Sequence, residues 1–229
     1  MISSSLRLPF ALVLLLSACS RGRDAALPGA RQDTAARPDT AVRPGGRRIV
    51  FLGTSLTAGY GLADPSLAYP ALIQKRIDSA GLPYQVVNAG VSGATSADTR
   101  RSIDWIMADP VSVLVVETGA NDGLRGLDVD SMRANIQAIL DRARRQSPPP
   151  QLVLVGMEAP PNYGADYTRR FREVFPELAR KNGAAFVPFL LQGVAGVDSL
   201  NQADGIHPTP AGQRIVAATV WRVLAPLLR

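Results

Sequence analysis

The sequence predicts an α/β domain: a parallel sheet of five strands covered by helices on both faces. Three observations carry this prediction. From Arg47 onward, short β-branched apolar runs alternate with helical patterns. The 229-residue length, less an N-terminus with no globular pattern, leaves room for one domain with a substantial core. The composition, 46% hydrophobic and 19% charged, is that of an ordinary globular protein.

The chain begins with Arg7 in a charged segment, an apolar stretch from Leu8 to Leu16, and then the small residues Ser17 and Ala18. This reads as a secretory signal over residues 1–18, too short to span a membrane as a mature helix. Leu16-Ser17-Ala18-Cys19 resembles the bacterial lipobox, which implies lipidation of Cys19 as the new N-terminus. Ordinary processing after Ser20 is the alternative, since it would put Ala18 at the third position back. Residues 20–46, rich in Arg, Ala, Pro, Asp and Gly without apolar periodicity, read as a disordered spacer, so that 19–46 form a tether. Such a chain spans about 30 Å. Ser20 rather than Asp after the cysteine resembles an outer-membrane address. The expectation is export to the periplasmic face of a bacterial membrane.

The folded region, expected over 47–229, shows strands at Ile49 to Leu52, Gln85 to Asn88, Val113 to Glu117, Leu152 to Gly156 and Ala185 to Pro188. Helical patterns lie between them near Ala68 to Ala80, Ser96 to Ala108, Asp130 to Gln146 and Tyr167 to Asn182. A last helix is expected from Pro210 to Leu228. Ligands of open α/β sheets bind at the carboxyl ends of the strands. The polar groups after strands are therefore the candidates: Thr54-Ser55, Ser92-Gly93 and Asn121-Asp122, joined by Asp204 and His207 before the last helix.

Composition narrows the chemistry. The formal net charge is +6, but the arginines are scattered and no Lys/Arg run exceeds two residues. Six Arg and three Asp fall in residues 1–46, leaving 19 basic and 16 acidic residues in the remainder. That small excess argues against a nucleic-acid groove. One Cys and one His exclude an intramolecular disulfide and a zinc site of the Cys/His type. No Asp/Glu cluster has the spacing of a cation-binding loop. Neither a metal nor any other cofactor is expected.

His207 is the side chain whose ordinary titration range suits base catalysis near neutrality. In Asp204-Gly205-Ile206-His207-Pro208 a carboxylate precedes the imidazole by three residues, so a tight turn can bring them together. Asp204 could then accept from one ring N–H, fix the tautomer and stabilise the imidazolium. By itself the segment reads equally well as a turn leading into a helix with Pro208 and Pro210. Ser55, in Gly53-Thr54-Ser55-Leu56-Thr57-Ala58-Gly59, follows an apolar strand directly; taken alone it reads as a helix N-cap. A strict G-x-S-x-G elbow is absent, which disfavours an ordinary α/β-hydrolase.

Four blocks in order resemble those of the SGNH (GDSL) hydrolases: Gly53-Thr54-Ser55-Leu56, Gly93 in Asn88-Ala89-Gly90-Val91-Ser92-Gly93, Asn121 in Gly119-Ala120-Asn121-Asp122, and Asp204-Gly205-Ile206-His207. Gly119 to Gly126 and Pro161-Asn162-Tyr163-Gly164 are similar to the thioesterase/lysophospholipase and arylesterase branch. The resemblance implies a flavodoxin-like three-layer sandwich with Ser55 as nucleophile, His207 as base and Asp204 as its orienting partner. It also implies an oxyanion hole of the Ser55 N–H, the Gly93 N–H and the Asn121 side chain. Donors of this kind contribute roughly 3 to 4 kcal/mol each to transition-state stabilisation. The family's aspartate is replaced by Thr54, which removes a carboxylate beside the nucleophile.

The expected activity is hydrolysis of carboxylic esters or thioesters, including aryl esters and lysophospholipids, by way of an acyl-serine. Alternatives of other classes are a non-catalytic envelope binding module and an O-acyltransferase or deacetylase acting on envelope glycans. Leu62, Tyr163, Phe189 and Leu190 are candidates to line an acyl pocket, although isolated apolar loop residues more often serve packing.

Overall fold

The computed structural model describes residues 46–228. The apolar segment, Cys19 and residues 20–45 of the expected tether lie outside the described residues.

Strand β1 (Arg47–Gly53) is followed by a single-turn helix α1 (Ser55–Ala58), by α2 (Tyr69–Ser79) and by β2 (Tyr84–Gly90). Next come α3 (Ser96–Ile106), β3 (Val113–Glu117), the short α4 (Ala120–Leu124) and α5 (Val129–Arg144). β4 (Gln151–Val155), α6 (Ala165–Asn182), β5 (Ala185–Val187) and α7 (Pro210–Leu224) complete the order. All five strands are parallel in the order β2-β1-β3-β4-β5, the flavodoxin-like arrangement.

The central strands are buried on both sides because helices cover both faces. Ile49, Val50, Phe51, Val113, Leu114, Val115 and Val116 have no solvent exposure. On one side α2 packs with α7, and on the other α3, α5 and α6 pack side by side. The helices supply Ile73 and Ile77, Ile136, Ile139 and Leu140, and Phe171, Phe175 and Leu178 to the core. Spacings of three and four residues put each set on one helix face.

The five expected strands and five expected helices are all present, with shifted ends. β2 extends to Tyr84 and Gly90 because it pairs with the whole of β1. α7 stops at Leu224 rather than Leu228, and a 3₁₀ turn over Ala225–Leu227 takes its place. Pro226, which lacks an N–H and crowds the preceding turn, explains that stop. The short α1 and α4 were not among the expected helices; both sit at the carboxyl ends of strands. Among the described residues no helix is long and apolar enough to cross a membrane.

Candidate active site

In this strand order the switch point lies at β1, with β2 on one side and β3 on the other, and the loops leaving these three strands converge there. Ser55 is the first residue of α1, separated from the end of β1 by Thr54 alone. Its hydroxyl lies 2.8 Å from His207 Nε2. His207 Nδ1 lies 2.7 Å from Asp204 Oδ2. A carboxylate at Nδ1 fixes the proton there, so Nε2 is left to accept from the Ser55 hydroxyl.

The Asp204 turn is built to hold the ring. Gly205 adopts φ +69°, and the Asp204 Oδ1 accepts from the backbone N–H groups of Ile206 (2.9 Å) and His207 (3.0 Å). The backbone donor from His207, then its ring N–H, then the Ile206 N–H lower the Asp204 carboxyl from 3.8 to about 2. The segment is closed on itself and tied to the loop after α1. The Gln202 N–H donates to the His207 carbonyl, and the Gln202 amide donates to the carbonyls of Tyr60 and Pro208. The Tyr60 ring, about half exposed, lies 4.7 Å from the imidazole, centroid to centroid.

Gly93, in the loop after β2, has φ +79°, and a β-carbon there would meet no atom closer than 3.9 Å. Glycine is therefore required by the backbone conformation and not by packing. Its carbonyl accepts from Arg125 (3.0 Å). Asn121 donates through Nδ2 to the Ala94 carbonyl at 2.9 Å, which fixes its amide against the Gly93 loop; an amide nitrogen has a second hydrogen to donate. Asp122, named with Asn121 among the polar groups after strands, is buried and ties α4 to the start of α3: its carboxylate accepts from the Ser96 N–H (2.8 Å) and hydroxyl (2.6 Å). Asn88 joins the blocks by donating to the Thr57 carbonyl.

Thr54 is fully buried, and its surroundings were not legible from the sequence. Its N–H donates to Glu117 Oε2 at 2.8 Å, and its hydroxyl to the same carboxylate at 3.0 and 3.1 Å. The Thr57 hydroxyl also donates to Glu117 Oε2 (2.8 Å). A carboxylate thus stands beside the Thr54–Thr57 turn after all, supplied by the last residue of β3. An aspartate in place of Thr54 would set two carboxylates against each other, and such a pair retains a proton. Burial raises the Glu117 carboxyl above its ordinary range, opposed by these donors. One signal was available: a single acidic residue ends an otherwise wholly apolar strand, where a charge is rarely buried without partners.

Of the pocket candidates, Leu190 is fully buried in the core and lines no cleft. The Tyr163 hydroxyl donates to the Leu124 carbonyl at 2.9 Å, and its ring covers Gly126 so closely that a β-carbon there would lie 2.5 Å from it. Tyr60, Val91, Leu124, Leu127, Tyr163 and Ile206 are exposed apolar residues, on the loops that carry or flank the site or, for Leu124, at the end of α4. Among the described residues no group of three or more His, Cys, Asp or Glu could hold a metal ion.

The fold and the site define a serine hydrolase of the open-sheet α/β class. Residues 51–215 match the family model described as GDSL-like Lipase/Acylhydrolase, and the chain belongs to that family. It is 40% identical over 181 residues to Esterase TesA of Pseudomonas aeruginosa, covering 79% of this chain and 89% of the relative. It is 33% identical over 182 residues to Thioesterase 1/protease 1/lysophospholipase L1 of Escherichia coli K12, covering 79% and 84%. Among solved structures, the psychrotrophic esterase EstA from Pseudoalteromonas sp., inhibited by monoethylphosphonate, superposes with a TM-score of 0.73 at 29% identity, covering 80% of this chain and 98% of that one. The chain is an enzyme acting on ester bonds, of the esterase, thioesterase and lysophospholipase type.

Proposed function

We propose that the protein hydrolyses carboxylic esters of apolar acyl or aryl groups, lysophospholipids and acyl thioesters through an acyl-serine. Ser55 Oγ attacks the carbonyl carbon while its proton passes to His207 Nε2, and Asp204 holds the imidazolium that forms. The Ser55 N–H, the Gly93 N–H and the Asn121 amide donate to the oxygen as negative charge develops on it. Collapse breaks the bond to the leaving oxygen or sulfur, which takes the proton from Nε2. Water, deprotonated by the same imidazole, then releases the acid and restores Ser55. Every proton and electron pair in this cycle is supplied by the side chains, the ester and water.

The reading rests above all on the continuous hydrogen-bonded chain from Ser55 Oγ to His207 to Asp204, at 2.8 and 2.7 Å. The exposed apolar side chains on the loops around it suit an apolar acyl or aryl group, and Tyr163, its hydroxyl engaged, would offer a ring face rather than a hydrogen bond. The names of the relatives, an esterase and a thioesterase/lysophospholipase, support the same range of substrates. We further propose that the chain is exported, cleaved before Cys19, lipidated there and held at the periplasmic face of the outer membrane by residues 19–46. Mass analysis of the purified N-terminus reads this directly: a diacylated Cys19 is expected, and an unmodified terminus after Ser20 would refute it.

A panel of nitrophenyl esters of increasing acyl length, together with a lysophospholipid, tests the activity. Turnover by the wild type is expected, with loss of at least about 10³-fold in Ser55→Ala while the fold is retained. Equal turnover by the two would refute the assignment.

A further inference from the structure

We propose that Glu117 is a positioning residue for acyl transfer: its buried carboxylate holds the turn from Thr54 to Thr57, and thereby the Ser55 hydroxyl and N–H, in register with His207. The inference rests on the acyl-serine reading. Glu117 has no hydrogen bond to Ser55 or His207, and no step of the proposed cycle uses it.

Four observations converge on this role. The Glu117 side chain is 1% exposed, at the end of a strand whose other residues are all apolar and buried. Its oxygens accept from Thr54 N–H, Thr54 O–H and Thr57 O–H, groups that flank Ser55 on both sides in sequence. The network continues outward. Because the Thr57 hydrogen goes to Glu117, the Tyr69 hydroxyl must be the donor in its 2.7 Å contact with Thr57 Oγ1. The Tyr69 N–H in turn donates to Gln213 Oε1 (2.9 Å), in the first turn of α7, six residues after His207. The nucleophile turn and the helix behind the imidazole are thus fastened to one buried polar chain. Finally, Gly53 leaves the space: a β-carbon there would lie 2.1 Å from Thr57 Oγ1 and 2.7 Å from Glu117 Oε2.

The physical argument concerns rigidity. A one-turn helix has too few internal hydrogen bonds to set its own orientation. Donor bonds to a charged acceptor are stronger than neutral ones, and a low-dielectric site strengthens them further. Withdrawing the carboxylate leaves the Thr54 N–H and two hydroxyls to find other partners, so the turn can shift relative to His207. A displacement of about 1 Å at a reacting atom lowers rate by about 10²-fold. Substrate contacts of the outer loops would be little affected.

The test is steady-state kinetics on a short-chain nitrophenyl ester for wild type, Glu117→Gln, Thr54→Val and Ser55→Ala, with thermal melts on each. Glu117→Gln is expected to lower kcat by about 10²-fold with KM within about threefold, and to slow fluorophosphonate labelling of Ser55 in proportion, at temperatures well below its melting point. A residue that only stabilised the fold would lower the melting temperature and leave kcat of the folded protein alone, which would overturn the proposal. Should Glu117→Gln fail to fold, Thr54→Val decides: it removes one donor bond at nearly constant volume, and an approximately 10-fold loss in kcat supports the role while a wild-type kcat overturns it. If Ser55→Ala is inert and Glu117→Gln turns over normally, the positioning role alone fails. If Ser55→Ala is active, the acyl-serine reading fails and the positioning role falls with it.

Discussion

His207 Nε2 lies 2.8 Å from Ser55 Oγ although 152 residues separate them in the chain. The contact closes because β1 occupies the switch point of the sheet and the loop before α7 returns to its carboxyl end. The Gln202 amide, bonded to the carbonyls of both Tyr60 and Pro208, bridges the two segments that carry this pair.

The Asp204 carboxylate orients that imidazole. Asp204→Asn should lower kcat by up to about 10⁴-fold on a nitrophenyl ester, with a smaller effect on KM. Burst kinetics would show whether acylation or deacylation bears the loss.

The same residue makes a pH-dependent contribution to folding. Its carboxyl is lowered from 3.8 to about 2 in the folded protein. The unfolded chain therefore binds the proton more readily, and the contribution is present above about pH 4 and lost as pH falls toward 2. Urea unfolding midpoints of wild type and Asp204→Asn should differ by a constant amount at pH 5 to 7 and converge between pH 4 and 2. Since Asp204 is partly exposed, the difference should be small.

Asn121→Ala removes one side-chain donor from the proposed oxyanion hole and the tie to the Ala94 carbonyl. A fall of about 10²- to 10³-fold in kcat is expected, with KM nearly unchanged. Steady-state kinetics at saturating ester concentration checks it.

Asp122 accepts two hydrogen bonds from Ser96 within the core edge. Asp122→Ala should lower stability by about 3 kcal/mol, because both Ser96 donors lose a charged acceptor. A denaturant series provides the measurement; a change within 0.5 kcal/mol, roughly that of a neutral surface substitution, would contradict the clamp.

What the sequence made legible was local. Each strand core is a short apolar run; three polar blocks follow such runs closely, and the fourth is marked by the lone histidine, His207, three residues after the Asp204 carboxylate. Ser55, Gly93, Asn121, Asp204 and His207 could be singled out on that basis together with the resemblance. Glu117 and its partners could not, because Thr54, Thr57 and Tyr69 reach it only once β1 and β3 are known to be neighbours. Leu190 was misplaced for a related reason: an apolar residue in a loop gives no sign of whether the loop turns inward. The stop of α7 at Leu224 was signalled by Pro226, but apolar residues on either side of the proline mask it.

The most direct measurement is the fate of Ser55 itself. Intact-mass analysis after incubation with a fluorophosphonate, followed by peptide mapping, should find one adduct on Ser55, absent from Ser55→Ala and strongly slowed in a His207→Ala variant. An adduct on another serine, or equal labelling of Ser55→Ala, would contradict the assignment of Ser55 as the nucleophile.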